Sequence, residues 1–167
     1  MKISVLGIDL AKSVFQLHGL DPCGKVALRK RVSRGQLRTF IGNLPRCVIG
    51  MEACASAHFW GREFEKFGHE VRLISPQFVK PYVKSNKNDA ADAEAICEAI
   101  TRPHMRFVPI KSIEQQDIQA LHRVRQRLVR SRTALANEVR GLLQEYGIVL
   151  PKGIQKLPKN LAAATDD

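Results

Sequence analysis

Four acidic residues stand where carboxylates can bind hard cations. Asp9 closes an apolar run in Gly7-Ile8-Asp9-Leu10-Ala11-Lys12, and Glu52 closes another in Gly50-Met51-Glu52-Ala53-Cys54. A carboxylate that follows a buried strand is costly to desolvate unless a cation or hydrogen-bond donors meet it. Asp89 and Asp92 stand three apart in Lys87-Asn88-Asp89-Ala90-Ala91-Asp92-Ala93, a spacing that puts both on one face of a helix. Each acid also has an ordinary use: Asp9 caps a turn, Glu52 opens a helix, and the Asp pair offsets a helix dipole. Gathered at one edge of a basic protein they repel one another, and divalent cations relieve that repulsion. Two hard cations held about 4 Å apart by carboxylates activate water on one side of a phosphodiester and stabilise the leaving oxygen on the other. The ions expected are two Mg²⁺, or Mn²⁺ in their place, because oxygen donors suit them and their retained waters leave room for a phosphate.

For these acids to converge, two strand ends and one helix must meet. Ile3 to Ile8 is almost continuously apolar, as a central strand buried on both faces requires. Val14 to Gly19 alternates, with Phe15 and Leu17 on one side and Gln16 and His18 on the other. Asp21-Pro22-Cys23-Gly24 is a turn. A third strand passes through Val26 and Leu28 and turns Lys25, Arg29 and Arg31 outward. Three tightly joined strands make an antiparallel meander. Leu37, Phe40 and Ile41 then indicate a short helix, and Cys47 to Met51 a fourth strand. Phe59, Trp60, Phe64 and Phe67 share one face of a second helix that Gly68 ends, and His69 to Ile74 is a fifth strand. Such alternation predicts parallel pairing in the second half. The fold class expected is therefore α/β, an RNase H-like mixed sheet with flanking helices rather than a doubly wound one. If the fourth strand lies parallel beside the first, Asp9 and Glu52 leave the sheet at the same edge.

Asn88 caps a helix running to about Arg102, on which Ile96 and Ile100 continue the face of the Asp pair. Glu94 and Glu98 fall on the opposite, solvated side, with Glu98 within reach of Arg102. Pro103 ends this helix, and Met105 to Val108 is a last short strand. From Ile113 to Tyr146 there is no Pro and one Gly, and Ile118, Leu121, Val124, Leu128, Leu135, Val139, Leu142 and Tyr146 recur at steps of three, four and seven. That pattern is one long amphipathic helix with a coiled-coil-type seam. After Pro151 the pattern dissolves, and Leu161 to Asp167 shows no closing element. The division expected is a catalytic domain over 1–110, the long helix over 111–150 and an irregular tail over 151–167.

The three acidic motifs, in this order and at these separations, resemble the DEDD transposases, the RuvC-like family that includes the Piv invertase. The resemblance runs from about Lys2 to Leu150 and implies that Asp9, Glu52, Asp89 and Asp92 form the catalytic and metal-binding tetrad. It implies metal-dependent cleavage and transfer of phosphodiester strands in DNA transposition and site-specific recombination within insertion sequences. Members of the family carry a second, C-terminal domain that supplies a serine nucleophile, and some are guided by a structured RNA from their own element. No residue here matches that serine. The 167 residues thus read as a fragment whose tail begins the missing domain, and which is expected to be feeble or inactive alone.

Charge agrees with a polyanionic partner. Against 16 Asp and Glu stand 27 Lys and Arg, a formal net charge of +11, and neutralising phosphates releases counterions. Lys80, Tyr82, Lys84 and Lys87 interleave cations with an aromatic ring just before the Asp pair, where lysines hold a backbone and Tyr82 stacks on a base. A surface loop with a packed Phe78 accounts for the same segment. Arg123, Arg125, Arg127, Arg130 and Arg132 decorate the long helix with no intervening acid, as a nucleic-acid contact or as a solvated face. RNA fits them as well as DNA, and the apolar seam suggests a homo-oligomer.

Other chemistries find less support. The four cysteines form no CxxC pair, and Cys47, Cys54 and Cys97 lie in apolar or small-residue surroundings. With no signal peptide, this points to a reducing bacterial cytoplasm and a nucleoid-associated protein. No apolar run approaches the roughly 20 residues that span a bilayer. The five histidines lack metal-ligand spacing; His58, near Glu52 in sequence, assists proton transfer or is simply satisfied. Ser13 and Ser56 have no base partner, and no Walker sequence or GxGxxG occurs. An actin-like or sugar-kinase-type ATPase also opens on a Gly-Ile-Asp strand, but continues in a Gly- and Thr/Ser-rich hairpin where this chain has Leu10, Ala11 and Lys12. A non-catalytic, nucleic-acid-binding remnant of a transposase is the rival from another class.

Overall fold

The apolar run at the N-terminus becomes β1 (Val5–Asp9), the strand around which a six-stranded sheet is built. The computed structural model describes residues 2–83 and 89–165, and the chain folds as two units, Met1–Ser112 and Ile113–Asp167. In the first unit β2 (Val14–Leu20) and β3 (Val26–Ser33) complete the meander, and β4 (Val48–Glu52), β5 (Glu70–Ile74) and β6 (Phe107–Val108) extend the other side. The order is β3-β2-β1-β4-β5-β6. β1–β2 and β2–β3 are antiparallel, while β1–β4 and β4–β5 are parallel. This is the RNase H-like mixed sheet that the sequence predicts. The sixth strand departs from the expected parallel trend: β6 runs antiparallel to β5.

Helices α1 (Arg34–Gly42) and α2 (Ala57–Lys66) cover one side of the sheet. Leu6, Ile8, Phe15, Leu17, Ile49 and Met51 bury there with Leu37, Ile41, Trp60 and Phe64. Of the four aromatics expected on one face of α2, Phe59 and Phe67 remain 46% and 39% exposed. The core-facing stripe runs through Ala57, Trp60, Gly61 and Phe64 instead, and Phe67 is already the C-cap. Gly68, at φ 84°, ends α2 as expected: its N–H donates to Glu65 O at 2.9 Å and that of His69 to Phe64 O at 3.3 Å, a Schellman arrangement.

The opposite face takes α4 (Asp89–Ile100), whose Ile96 and Ile100 bury with Ile74 and with Val79 of α3 (Pro76–Val79). Because α4 covers this face, His18 on β2 is 3% exposed, and Cys97 Sγ donates to His18 O at 3.1 Å. Glu98 pairs with Arg102 as expected. Glu94, expected to be solvated, instead reaches Arg29 of β3 at 3.4 Å. The capping residue expected for this helix, Asn88, lies outside the described residues.

The second unit contains α5 (Ile113–Glu145), the long helix, and α6 (Leu157–Thr165). α6 corrects the expectation of an irregular tail. Pro158 sits in its first turn, where a missing N–H costs nothing, and Leu161-Ala162-Ala163-Ala164 has high helix propensity. A stretch that short carries too few turns for periodicity to register.

Candidate active site

Strand alternation sets the site. Gly7 and Asp9 share a face of β1, Gly50 and Glu52 share a face of β4, and Gly7 pairs with Gly50 in parallel register. α4 lies on that face. A Cβ on Gly7 would stand 2.3 Å from Ala93 O and 2.9 Å from Cys97 N, and one on Gly50 2.4 Å from Ile100 Cδ1. The missing side chains therefore let the helix backbone settle on the strands, which brings its first turns to the edge where Asp9 and Glu52 emerge. The sequence reading passed over both glycines. Their signal was present: each precedes its acid by two residues, the spacing that shares a strand face.

Asp9, Glu52 and Asp92 are each half-buried. Burial raises the Glu52 carboxyl above its ordinary value, and the negative charges of Asp9 and then Asp92 raise it further. Asp9 and Asp92 thus both act electrostatically on Glu52. Asp89 opens α4. Among the described residues, no group of three or more His, Cys, Asp or Glu is drawn together as a ready metal cage. The donor set nevertheless fits a hard divalent cation, because Asp9, Glu52 and Asp92 offer carboxylate oxygens only and the charges of Asp9 and Asp92 bear on Glu52.

After Glu52 the chain leaves the sheet at once. Cys54 N–H donates to Glu52 O at 2.8 Å and Ala57 N–H to Cys54 O at 3.3 Å. Ser56 takes φ 68°, the single positive φ at a non-glycine residue among those described. The small residues Ala53 to Ser56 allow this tight exit. Cys54 beside it is half-buried, and burial followed by the charge of Glu52 raises its thiol.

His58 does not serve Glu52. Its Nδ1 accepts from Lys111 N at 3.2 Å and its Nε2 lies 3.0 Å from Lys111 Nζ. Burial, then the charges of Lys111 and Arg62, hold its pKa below the ordinary value. Of the two alternatives, its contacts are those of a histidine held by Lys111 rather than one turned to Glu52.

The basic candidates are spread over both units. Lys80 is exposed in a short 3-10 helix, Lys80–Tyr82. Tyr82 is half-buried, packs beside Ile74 and Val79, and carries the Arg102 guanidinium 5.5 Å above its ring. That use of the ring takes up surface that base stacking would need. Lys84 and Lys87 lie outside the described residues. Arg123, Arg125, Arg127, Arg130 and Arg132 are all exposed on α5.

Comparison with known proteins gives the family. The family model of IS110-type DEDD transposases, described as "Transposase", matches residues 6–148. A probable family 20 transposase of Pseudomonas aeruginosa is 61% identical over 149 residues, 89% of this chain and 44% of that protein. The transposase for insertion sequence element IS1111A of Coxiella burnetii is 54% identical over 159 residues, 95% of this chain and 44% of that protein. The transposase for insertion sequence element IS1328 of Yersinia enterocolitica is 49% identical over 165 residues, 99% of this chain and 49% of that protein. The chain thus spans less than half the length of these curated relatives. Among solved structures, Thermus thermophilus RuvC matches with TM-score 0.48 and 13% identity, over 62% of this chain and 99% of RuvC. With residues 6–148 matched and all three acidic motifs inside that range, the chain belongs to the IS110-type family of DEDD transposases.

Proposed function

We propose that Asp9, Glu52, Asp89 and Asp92 form the divalent-cation site at which an insertion-sequence transposase cuts and transfers DNA strands. The observation that carries this reading is the parallel register of β1 and β4, which ends Asp9 and Glu52 at one edge of the sheet; there the charges of Asp9 and Asp92 add to burial in raising the Glu52 carboxyl. Half-buried acids that repel one another stabilise no fold by themselves, and a bound cation turns that repulsion into affinity. When bound, Mg²⁺ or Mn²⁺, as one or two ions, supplies positive charge to the attacking and leaving oxygens of a phosphodiester. The residues' own part is to hold oxygen donors on two fixed strand ends and one helix, a rigid setting for such a site.

DNA is the partner proposed, with a structured guide RNA as a second nucleic acid. Lys80, Lys84, Lys87 and the arginines Arg123, Arg125, Arg127, Arg130 and Arg132 are the phosphate contacts, and Tyr82 offers what ring surface Arg102 leaves. Self-association through α5 and a nucleoid-associated place in the bacterial cytoplasm belong to the same proposal. No helix among the described residues is long and apolar enough to cross a membrane. Strand transfer by the whole protein, including any serine nucleophile, extends the reading beyond this chain.

Calorimetric titration of Mg²⁺ and Mn²⁺ tests the site. Wild type should bind and an Asp9→Asn, Asp92→Asn double variant should not; equal binding by both overturns it. A second reading is a binding module without cleavage. Cleavage of branched DNA that depends on the cation and on Asp9 decides against it.

A further inference from the structure

One row of the sheet continues past the acids. Asp9 pairs with Gln16 on β2, and Gln16 pairs with Arg31 on β3. Directly paired residues on neighbouring strands share a face, so Arg31, Gln16 and Asp9 form a line across three strands. Glu52 follows on the fourth, because Ile8 and Met51 pair in the register one residue before. The parallel row next to it, Arg29, His18, Gly7 and Gly50, belongs to α4: His18 is buried beneath it and Arg29 is tied to Glu94. In the acid row Gln16 is half-buried and Arg31 exposed. A shallow depression of about 190 Å³ is lined by Gln16, Leu17, His18, Arg29, Lys30 and Arg31.

The three consecutive cations of β3 differ in what they face. Arg29 meets Glu94 at 3.4 Å, and Lys30 Nζ lies 4.6 Å from the centre of the Phe40 ring. For Arg31 no ion pair, hydrogen bond or ring contact occurs among the described residues, and the amide of Gln16 likewise has no described partner. An exposed guanidinium and a half-buried amide thus stand in line with carboxylates. An arginine fork matches the oxygens of a phosphate. An amide can donate to an anion without adding charge beside Asp9. At a strand spacing of about 4.8 Å, Arg31 stands roughly 10 Å from Asp9 along the row, within side-chain reach of a phosphate adjacent to one held at the acids.

We propose that Arg31 and Gln16 form a phosphodiester-binding subsite in line with the acids, which seats the sugar-phosphate backbone of a nucleic-acid strand next to the phosphate to be cut. The inference rests on the proposed cation site and assigns it an entry side: the strand arrives over β2 and β3. Arg31 holds a non-bridging oxygen of the neighbouring phosphate, and Gln16 donates between that phosphate and Asp9.

The test measures binding of a labelled branched DNA to this chain, with and without Ca²⁺, as a function of salt. The variants are Arg31→Ala, Arg31→Lys, Gln16→Ala, Asp9→Asn and, as control, Arg46→Ala, an exposed cation at the start of β4 and so at the opposite end of the strands. Arg31→Ala should weaken binding roughly three- to tenfold and lower the salt slope by about one, with or without Ca²⁺. Arg31→Lys should restore part of the affinity, and Gln16→Ala should show a smaller loss at unchanged salt slope. Circular dichroism melting checks that each variant is folded. Binding by Arg31→Ala that equals wild type, or falls no further than with Arg46→Ala, overturns the subsite. Failure of the cation site has a different signature: wild type would gain nothing from Ca²⁺, and Asp9→Asn would match wild type in both conditions.

Discussion

Gly7 and Gly50 face each other across β1 and β4, and α4 rests in the space where both side chains would be. The two contacts differ in kind. At Gly7 an added Cβ meets backbone, Ala93 O at 2.3 Å and Cys97 N at 2.9 Å. At Gly50 it meets the ends of Ile100 and Ile96 side chains. A backbone has nowhere to go without moving the helix, whereas an isoleucine can change rotamer.

Gly7→Ala should therefore destabilise the protein more than Gly50→Ala. Overpacking of this sort costs about 1–3 kcal/mol, and Gly7→Ala should lie at or above the top of that range. Adding Ile100→Val, which removes the Cδ1 atom 2.4 Å from the new methyl, should recover part of the loss at Gly50 and none at Gly7. Urea unfolding of the four variants measures this. An equal loss at both positions would show that α4 tolerates the shift and that its seating does not depend on Gly7.

Glu52 offers a prediction with opposite sign in two buffers. Its carboxyl is raised by burial first and by Asp9 and Asp92 next, so the unfolded chain ionises it at lower pH than the folded one does. Stability falls as pH rises through the window that opens near the ordinary Glu value of about 4.3, and above that window the folded state carries the full strain of an ionised Glu52. Without divalent cation Glu52→Gln should raise the melting temperature at neutral pH, by roughly 2–4 °C for each kcal/mol relieved. With Mg²⁺ or Mn²⁺ present, wild type should gain stability that the variant lacks. A variant that melts below wild type in the absence of cation would refute the electrostatic account.

How much of this was legible beforehand depended on the period of the signal. The strands with Leu6 and Ile8 or Ile49 and Met51 are read from continuous apolar runs, and the meander from the turn at Asp21, whose Oδ1 indeed accepts from Cys23 N and Lys25 N at 2.8 and 2.9 Å. Asp9 and Glu52 follow from strand ends. What escaped were features set by packing between distant segments. Nothing near His18 in sequence says that α4 will cover it, and Arg29 meets Glu94 across 65 residues. Tyr82 reads in sequence as a base-stacking ring because Arg102, which covers it, lies twenty residues on. Phe67 matched the helical spacing of its neighbours, but the helix had already ended at Lys66.

The cysteines report on the same packing. Burial pushes the Cys97 thiol to about 12 and the Cys47 thiol to about 11, and a thiol that stays protonated is a poor nucleophile. In native protein, iodoacetamide should label exposed Cys23 first and Cys54 slowly, leaving Cys47 and Cys97 unlabelled until the fold is denatured. Because the charge of Glu52 helps to raise Cys54, Glu52→Gln should quicken labelling at that one position. Mass spectrometry of the alkylated peptides reads all four rates. Labelling of Cys97 at the rate of Cys23 would contradict the seating of α4 on β2.

On α5, two sets of residues should answer salt in opposite directions. Leu121, Leu128, Leu135 and Leu142 recur at sevens and remain 60–70% exposed, a seam that a second helix would bury. Arg125 and Arg132 fall at sevens with the seam residues Ile118, Val139 and Tyr146, and Arg127 stands beside them, where a partner copy would bring like charges together. Raised salt screens those charges, so self-association should strengthen with salt, whereas nucleic-acid binding through the same arginines should weaken steeply. Leu121→Ala with Leu128→Ala should reduce association seen by light scattering. Arg125→Ala with Arg127→Ala and Arg130→Ala should leave association intact and less dependent on salt. The same triple variant should lose nucleic-acid affinity, with the salt slope flatter by roughly one for each phosphate contact removed. A wild-type chain that stays monomeric at high concentration and high salt would remove the seam from consideration as a self-association surface. Unchanged binding by the arginine variant would leave that face of α5 a solvated one.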